Sequence, residues 1–179
     1  SSSSIVRLKG GDPFLFGRGA EEASFLAERG VSVEVVPGVT SGIAVPAYLG
    51  IPLTHRQVGS SVTFVTGNES INKERPSVNW RSLALSTNTL VIYMGLYNLD
   101  FIASELVAGG MNPQTSSAVI EQGSVVGQRF IKAPIVDIFN QVKKENFASP
   151  SIIVVGSVVD FQIKACAPKP AEVTFPIPI

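Results

Sequence analysis

The sequence predicts an α/β fold, because runs typical of strands alternate with runs typical of helices along most of its 179 residues. Two strand-like runs, which begin at Leu90 and Ile152, are short and almost wholly apolar, as in strands that are buried on both faces. Segment 116–132 instead predicts two strands around a turn at residues 122–124, arranged as an antiparallel pair. The expected sheet is therefore mixed, with helices flanking it.

The individual elements follow from local pattern and from turn residues. Seven strands are predicted, at residues 5–8, 33–36, 62–66, 90–93, 117–120, 129–132 and 152–155. Residues 158–161 are expected to continue the last strand or to pair beside it. Four helices are predicted, at residues 20–29, 40–49, from Asn98 or Asp100 to Val107, and 135–145. Gly30 and Gly50 are C-terminal stops, Thr40 is a capping-type residue, and Pro46 should kink or tighten its helix.

Changes in composition divide the chain into parts. Pro52 interrupts regular structure, so the boundary between two α/β domains is expected near residues 51–59, which gives domains at 5–55 and 60–165. Residues 68–76 predict an exposed polar loop. Residues 166–179 predict an extended tail, because prolines recur throughout them.

Composition excludes several classes of partner and site. The chain is 45% hydrophobic and 16% charged, and its net charge of zero argues against a nucleic-acid or anionic-membrane partner. No apolar run reaches the roughly 20 residues of a membrane span. The single cysteine, Cys166, excludes an intrachain disulfide and a multi-cysteine metal site, and the single histidine, His55, argues against a histidine zinc site.

The most informative segment is residues 6–19, which pass from a strand into two close turns before a helix. The pair Gly10-Gly11 allows a backbone to approach a ligand that a Cβ would exclude, although a simple strand-ending turn is an equal local reading. Asp12 adds a negative charge, which suits a cationic or amine-bearing ligand better than a phosphate. Segment 17–22 begins like a dinucleotide fingerprint, but Glu22 replaces its last small residue, so we reject a Rossmann site.

This loop is similar to the cofactor loop of the tetrapyrrole methylases, and further motifs of that family follow in the expected order. They are residues 35–44, 50–56, 61–67, 93–95, 121–123 with 128–129, and 149–156. The resemblance extends from about Val6 to Val159 and is closest to members that methylate uroporphyrinogen III. Single motifs of this kind are moderately specific, whereas the ordered set is strongly specific.

The resemblance implies a two-domain tetrapyrrole methylase fold with its active site between the domains, the first of which is only partly present here. The implied methyl donor is S-adenosylmethionine, which becomes S-adenosylhomocysteine. The implied cofactor-binding residues are Gly10, Gly11, Asp12, Leu15, Thr40, Ser41, Met94 and Gly123. The implied substrate-binding residues are Arg18, Arg56 and Arg129, since guanidinium groups suit the eight carboxylates of uroporphyrinogen III. The acid/base groups would lie upstream of residue 5, and His55 is expected to be structural.

The implied reaction transfers methyl groups to C2 and C7 of uroporphyrinogen III and yields precorrin-2, for sirohaem and cobalamin synthesis, without a metal. The resemblance also implies a homodimer in the cytoplasm or in a plastid. The 179 residues alone are expected to be inactive, because the first glycine-rich loop would be missing. Two alternatives stay open: a methylase of a later corrin precursor, and a non-catalytic dimerisation or binding fragment.

Overall fold

The computed structural model describes residues 5–68 and 78–163, and a five-stranded mixed sheet forms its centre. The strands are β1 (Val62–Thr66), β2 (Thr89–Tyr93), β3 (Ser116–Glu121), β4 (Arg129–Pro134) and β5 (Ser151–Val155). Their spatial order is β1-β2-β5-β3-β4. The β1–β2 pair is parallel, and all other neighbours are antiparallel.

Within the described ranges, five α-helices and one 3-10 helix accompany the sheet. They are α1 (Gly19–Ala27), α2 (Ser41–Tyr48), α3 (Trp80–Ser86), α4 (Leu99–Ala108) and α5 (Ile138–Lys144), followed by the 3-10 helix Ser157–Phe161. Among the described residues, no helix combines the length and the apolar character needed to cross a bilayer. In the sequence, helix α3 lies between β1 and β2, and because these strands are parallel neighbours it serves as the crossover helix that connects them.

The two faces of the sheet bury two separate cores, because successive side chains of a strand point in opposite directions. On one face, Leu90 and Ile92 of β2 belong to a core with residues of α3, α4 and α5. On the other face, Val91 and Tyr93 of the same strand belong to a core with α2 and the 3-10 helix. The chain therefore forms three layers, with α2 resting on β2 and β5.

The α/β class and the mixed sheet are confirmed, and five of the seven predicted strands are present within two residues at each end. The strands predicted at 5–8 and 33–36 are wrong: neither segment pairs with another described segment, and Ile5, Val6 and Val36 are exposed. A strand needs a neighbour for its backbone N–H and C=O groups, and apolar pattern alone does not supply one. Residues 158–161 form part of a 3-10 helix rather than a strand.

The predicted helices are confirmed with shifted ends, and one helix was missed. Helix α5 begins at Ile138 rather than at 135, because β4 runs to Pro134 and a turn follows. Pro46 lies inside α2 without ending it. Helix α3 was missed: it lies between the loop predicted at 68–76 and the strand predicted at 90–93, where no element was predicted. The predicted tail at 166–179 and most of the polar loop at 68–76 lie outside the described residues.

Candidate functional site

Asp12 joins the glycine-rich loop at residues 10–15 to the segment that precedes α2. Its Oδ1 accepts hydrogen bonds from the backbone N–H groups of Phe14 at 2.9 Å and Leu15 at 3.0 Å. Its Oδ2 accepts from the N–H of Gly38 at 3.2 Å. The Gly38 bond, with those of Phe14 and Leu15, lowers the pKa of Asp12 below its usual value although partial burial opposes the shift. The carboxylate is therefore ionised at neutral pH and holds two backbone segments together.

Glycines allow these two segments to approach each other closely. A Cβ at Gly38 would lie 2.6 Å from the carbonyl oxygen of Gly11, a distance that forbids any side chain. Gly11 has a φ of 118°, and a Cβ there would lie 3.3 Å from the Val39 carbonyl oxygen. A Cβ at Gly10, by contrast, would meet no atom within 4 Å. The fold thus explains Gly11 and Gly38, whereas the space beside Gly10 is open.

A second close turn follows and leads into α1. The N–H of Gly19 donates to the carbonyl of Pro13 at 2.8 Å, and a Cβ at Gly17 would lie 2.7 Å from that same oxygen. Beyond the turn, Glu22 of α1 accepts hydrogen bonds from Lys9 at 3.0 Å and from Arg7 at 3.2 Å. Residues 7–22 therefore fold back on themselves.

The start of α2 is tied to the end of β2 through Tyr93. The Tyr93 hydroxyl lies 2.7 Å from Thr40 Oγ1 and accepts a hydrogen bond from the N–H of Gly42 at 2.8 Å. Thr40 occupies the N-cap position of α2, as predicted, but its side chain makes no capping bond because it engages Tyr93. A Cβ at Gly42 would overlap the Tyr93 ring and hydroxyl.

The remaining predicted cofactor residues lie around this junction. Met94 follows Tyr93 with a φ of 53° and is 51% exposed, so its side chain is accessible at the end of β2. Leu15 packs against the core beneath α2, and Ser41 is the first residue of that helix. Gly123 lies against α2, since a Cβ there would overlap the Val45 side chain. Most of the predicted set thus lies at α2 or against it, and Met94 follows Tyr93, which bonds to the start of that helix.

The three arginines predicted for substrate binding lie on three different segments. Arg18 precedes α1 with a φ of 57°, and its ion pair with Glu21 at 3.5 Å leaves its side chain 82% exposed. Arg56 is an exposed residue in the turn that the His55–Gly59 bridge closes. The side chain of His55 stacks on Phe161 with 4.4 Å between ring centroids, which gives the histidine a packing role.

Arg129 is already engaged with the protein. Its guanidinium donates to Glu121 Oε2 at 2.7 Å and to the carbonyls of Asn146 at 2.7 Å and Glu145 at 3.2 Å. It also lies over the Phe147 ring, 4.4 Å from the centroid. The Arg129 bond, together with the N–H of Ala148, lowers the pKa of Glu121. This cluster fastens the loop before β5 to the β3–β4 hairpin.

Two residues of this region, one through its side chain and one through its backbone, were not predicted from the sequence. Tyr93 and Gly42 both lie within motifs that were matched, but neither was assigned a role. The signal for Tyr93 was a phenol at the end of an otherwise apolar strand, where a buried hydroxyl needs partners. Within residues 5–68 and 78–163, no three histidine, cysteine, aspartate or glutamate side chains cluster as metal ligands would.

Comparison with known proteins identifies the family. The family model for tetrapyrrole (corrin/porphyrin) methylases matches residues 1–138. The chain is 51% identical over 157 residues to a uroporphyrinogen-III C-methyltransferase of Synechocystis, covering 88% of this chain and 60% of that protein. It is 48% identical over 155 residues to an S-adenosyl-L-methionine-dependent uroporphyrinogen III methyltransferase of Methanosarcina barkeri, covering 87% of this chain and 61% of that protein.

A solved structure agrees with these relatives. The crystal structure of uroporphyrin-III C-methyltransferase from Thermus thermophilus, complexed with S-adenosylhomocysteine, matches with a TM-score of 0.75 and 38% identity. The match covers 87% of this chain and 67% of the Thermus chain. The chain thus spans about 60% of the length of the curated relatives described above. On the family model, the sequence relatives and the shared fold, the chain belongs to the tetrapyrrole (corrin/porphyrin) methylases.

Proposed function

We propose that this chain supplies the S-adenosylmethionine site for C-methylation of uroporphyrinogen III at C2 and C7, which yields precorrin-2. The observation that carries the proposal is the convergence of three matched segments, at residues 10–15, 38–42 and 93–94, on the start of α2. The relatives that share these segments are named for this reaction. The substrate, the product and the homodimeric state implied by the resemblance are part of the same proposal.

The residues at this junction fit such a cofactor. The open space beside Gly10 admits a ligand against the backbone, which a side chain there would prevent. Gly11, Asp12, Leu15, Thr40, Ser41, Met94 and Gly123 complete the proposed site. S-adenosylmethionine supplies a methyl group on a cationic sulfur, so displacement by an electron-rich pyrrole carbon needs alignment rather than further activation. The chain contributes binding, orientation and exclusion of water.

Within this site the structure changes the role that we propose for Asp12. All three of its hydrogen bonds go to backbone N–H groups, so it holds the loop at residues 10–15 against Gly38. Its negative charge still lies beside the cationic ligand, and both effects favour binding.

For the substrate carboxylates we propose Arg18 and Arg56 as the freer partners. Their side chains are exposed, whereas Arg129 donates to Glu121 and to two carbonyls. Arg129 has donors to spare, because a guanidinium carries five N–H groups. We therefore keep Arg129 as a third contact, with a structural role besides.

A hybrid enzyme tests the proposal. The 157-residue matching segment of the Synechocystis relative is replaced by the aligned residues of this chain, and precorrin-2 formation from uroporphyrinogen III is followed by absorbance. We expect turnover, with S-adenosylhomocysteine as the second product. A folded hybrid that methylates only a later corrin precursor would contradict the substrate assignment. A folded hybrid that fails to bind S-adenosylhomocysteine would contradict the cofactor assignment.

The assembly and the location are further parts of the proposal. We expect the hybrid to sediment as a homodimer at micromolar concentration, and a monomer would count against this. A place in the cytoplasm or in a plastid, and the domain division at residues 51–59, remain predictions from the sequence.

A further inference from the structure

Tyr93 contacts Phe16 and the start of α2, two of the regions around the proposed cofactor site. It ends β2, and only 7% of it is exposed. Its ring lies 4.7 Å, centroid to centroid, from Phe16, which follows the glycine-rich loop at residues 10–15. Its hydroxyl bonds to Thr40 and Gly42 at the start of α2, and Met94 is its neighbour in the chain.

The hydrogen bonds at this hydroxyl leave one proton over. The N–H of Gly42 donates to the Tyr93 oxygen, so that oxygen acts as an acceptor. One further bond joins the Tyr93 and Thr40 hydroxyls at 2.7 Å, and it uses one of their two protons. The hydrogen bonds of the described residues include no acceptor for the other proton. Both residues are buried, where an unpaired donor is costly.

The position of the leftover proton follows from the surroundings. If Thr40 donated to Tyr93, the leftover proton would belong to the phenol, whose ring packs against Phe16 and Phe64 at centroid distances of 4.7 Å and 6.4 Å, and neither of those side chains carries an oxygen or nitrogen acceptor. If Tyr93 donates to Thr40, the leftover proton belongs to Thr40, a proposed cofactor contact. The second arrangement places the free donor where a ligand can accept it.

We infer that Tyr93 is a positioning residue, whose hydroxyl donates to Thr40 and directs the Thr40 proton to an acceptor atom of the bound cofactor. The inference rests on the proposed function, since it needs the cofactor to lie at Thr40. It differs from a purely structural tie between β2 and α2. A structural tie would change the stability of the fold, whereas a positioning role must also change cofactor affinity in the folded protein.

Titration calorimetry of the 179-residue chain with S-adenosylhomocysteine tests this. Tyr93→Phe removes the hydroxyl and keeps the ring, and Thr40→Val removes the other hydroxyl at nearly constant volume. We expect each change to raise Kd about tenfold, and the double variant to lose no more than either alone, because both remove one linked arrangement. Tyr97→Phe is the matched control, since Tyr97 is 95% exposed, and its Kd should not change.

Hydrogen exchange at the Gly42 amide gives a readout that needs no ligand. Tyr93→Phe should speed exchange there, and unchanged protection would overturn the inferred contact.

A lowered Tm with an unchanged Kd would show that Tyr93 is only a structural tie. Losses of affinity that multiply in the double variant would show two independent contacts. Either result overturns the inference. If the unsubstituted chain does not bind S-adenosylhomocysteine, the cofactor assignment fails and the inference fails with it. Because that failure appears without any substitution, failure of the cofactor assignment can be distinguished from failure of the inference about Tyr93 alone.

Discussion

The two adjacent glycines of the first loop serve different purposes. Gly11 has a φ of 118°, which L side chains rarely adopt, and the Val39 carbonyl oxygen lies 3.3 Å from where a Cβ would be. Gly10 meets neither constraint, because no atom lies within 4 Å of its Cβ position. Packing within the described residues does not require a glycine at position 10, but a ligand that approaches the backbone does.

This contrast yields a paired prediction. Gly11→Ala should destabilise the chain by about 1–2 kcal/mol through backbone strain, as seen in denaturant unfolding. Gly10→Ala should leave the free energy of unfolding within about 0.5 kcal/mol but weaken S-adenosylhomocysteine binding several-fold in calorimetry. Unchanged affinity in the folded Gly10→Ala variant would remove the backbone at position 10 from the proposed site.

The carboxylate of Asp12 should make the chain sensitive to acid. Three backbone N–H groups, that of Gly38 foremost, lower its folded pKa below the ordinary value of 3.8. Its stabilisation is therefore complete above the unfolded value and is lost as the pH falls through the folded pKa. Asp12→Asn carries no such charge, so its free energy of unfolding should lie below that of the parent near neutral pH and approach it in acid.

Urea unfolding at a series of pH values from neutral to below 3.8 measures that gap. Glu28→Gln is the control, because it removes a carboxylate that is 74% exposed, and its gap should be small throughout. A gap between Asp12→Asn and the parent that stays constant with pH would contradict the assigned role.

At the residue scale, the sequence identifies which residues meet better than it identifies what each one does. Among the residues of the matched motifs, Asp12 bonds to Gly38 and Thr40 bonds to Tyr93, the residue before Met94, while their roles toward a cofactor stay predictions. The bonds of Asp12 to Gly38 and of Arg129 to Asn146 span loops whose approach depends on the whole fold. A pattern along the chain contains no signal for such partners.

At the scale of elements, helix α3 shows how a local cap was overlooked. Asn79 Oδ1 accepts a hydrogen bond from the N–H of Ser82 at 3.0 Å, and Trp80 and Ala84 are buried one turn apart. The same signals are present in the sequence, a capping residue followed by apolar residues at helical spacing. A loop was predicted for the polar residues 68–76, and no element was predicted for the residues that follow them.

The cap makes a measurable contribution. Asn79→Ala should lower the free energy of unfolding by about 1 kcal/mol, because it leaves a helix N–H without its partner. Asn140→Ala, at an exposed position inside α5, should leave stability unchanged or raise it by a few tenths of a kcal/mol, since alanine favours helix. Equal losses at both sites in denaturant unfolding would refute the capping role of Asn79.

Strands were predicted well where burial on both faces left a continuous apolar run. Every residue of β2 is buried, as its sequence indicated. Residues 5–8 and 33–36 carry similar residue types, yet the structure gives them no strand partner among the described residues. Strand propensity describes a fit to a pleated surface, so it cannot show whether a neighbouring strand is present.

At the scale of the molecule, the order of the strands is the property that local pattern does not contain. β5 is the last described strand in sequence but lies between β2 and β3, and its pairing with them closes both cores. Among the described strands, only the β3–β4 hairpin joins consecutive strands that are antiparallel neighbours, and it was predicted from its central turn. The other pairs of neighbouring strands are set by long-range packing. The family resemblance reflects that packing, whereas the hydrophobic periodicity of the sequence does not.

This architecture divides the chain into a buried sheet and an exposed N-terminal segment, and that division predicts the course of proteolysis. In residues 5–40, only Gly19 and Thr40 are buried, whereas β2 and β5 lie at the centre of the sheet. Local opening is easiest where few side chains are buried, so trypsin should cut first after exposed basic residues such as Arg18 and Arg29.

S-adenosylhomocysteine at a concentration well above its Kd should slow these cuts, because a ligand stabilises the state that binds it. Mass spectrometry of timed digests identifies the order. A first cut between Thr89 and Val155, or unchanged rates at Arg18 and Arg29 with saturating ligand, would contradict this division and its link to the proposed site.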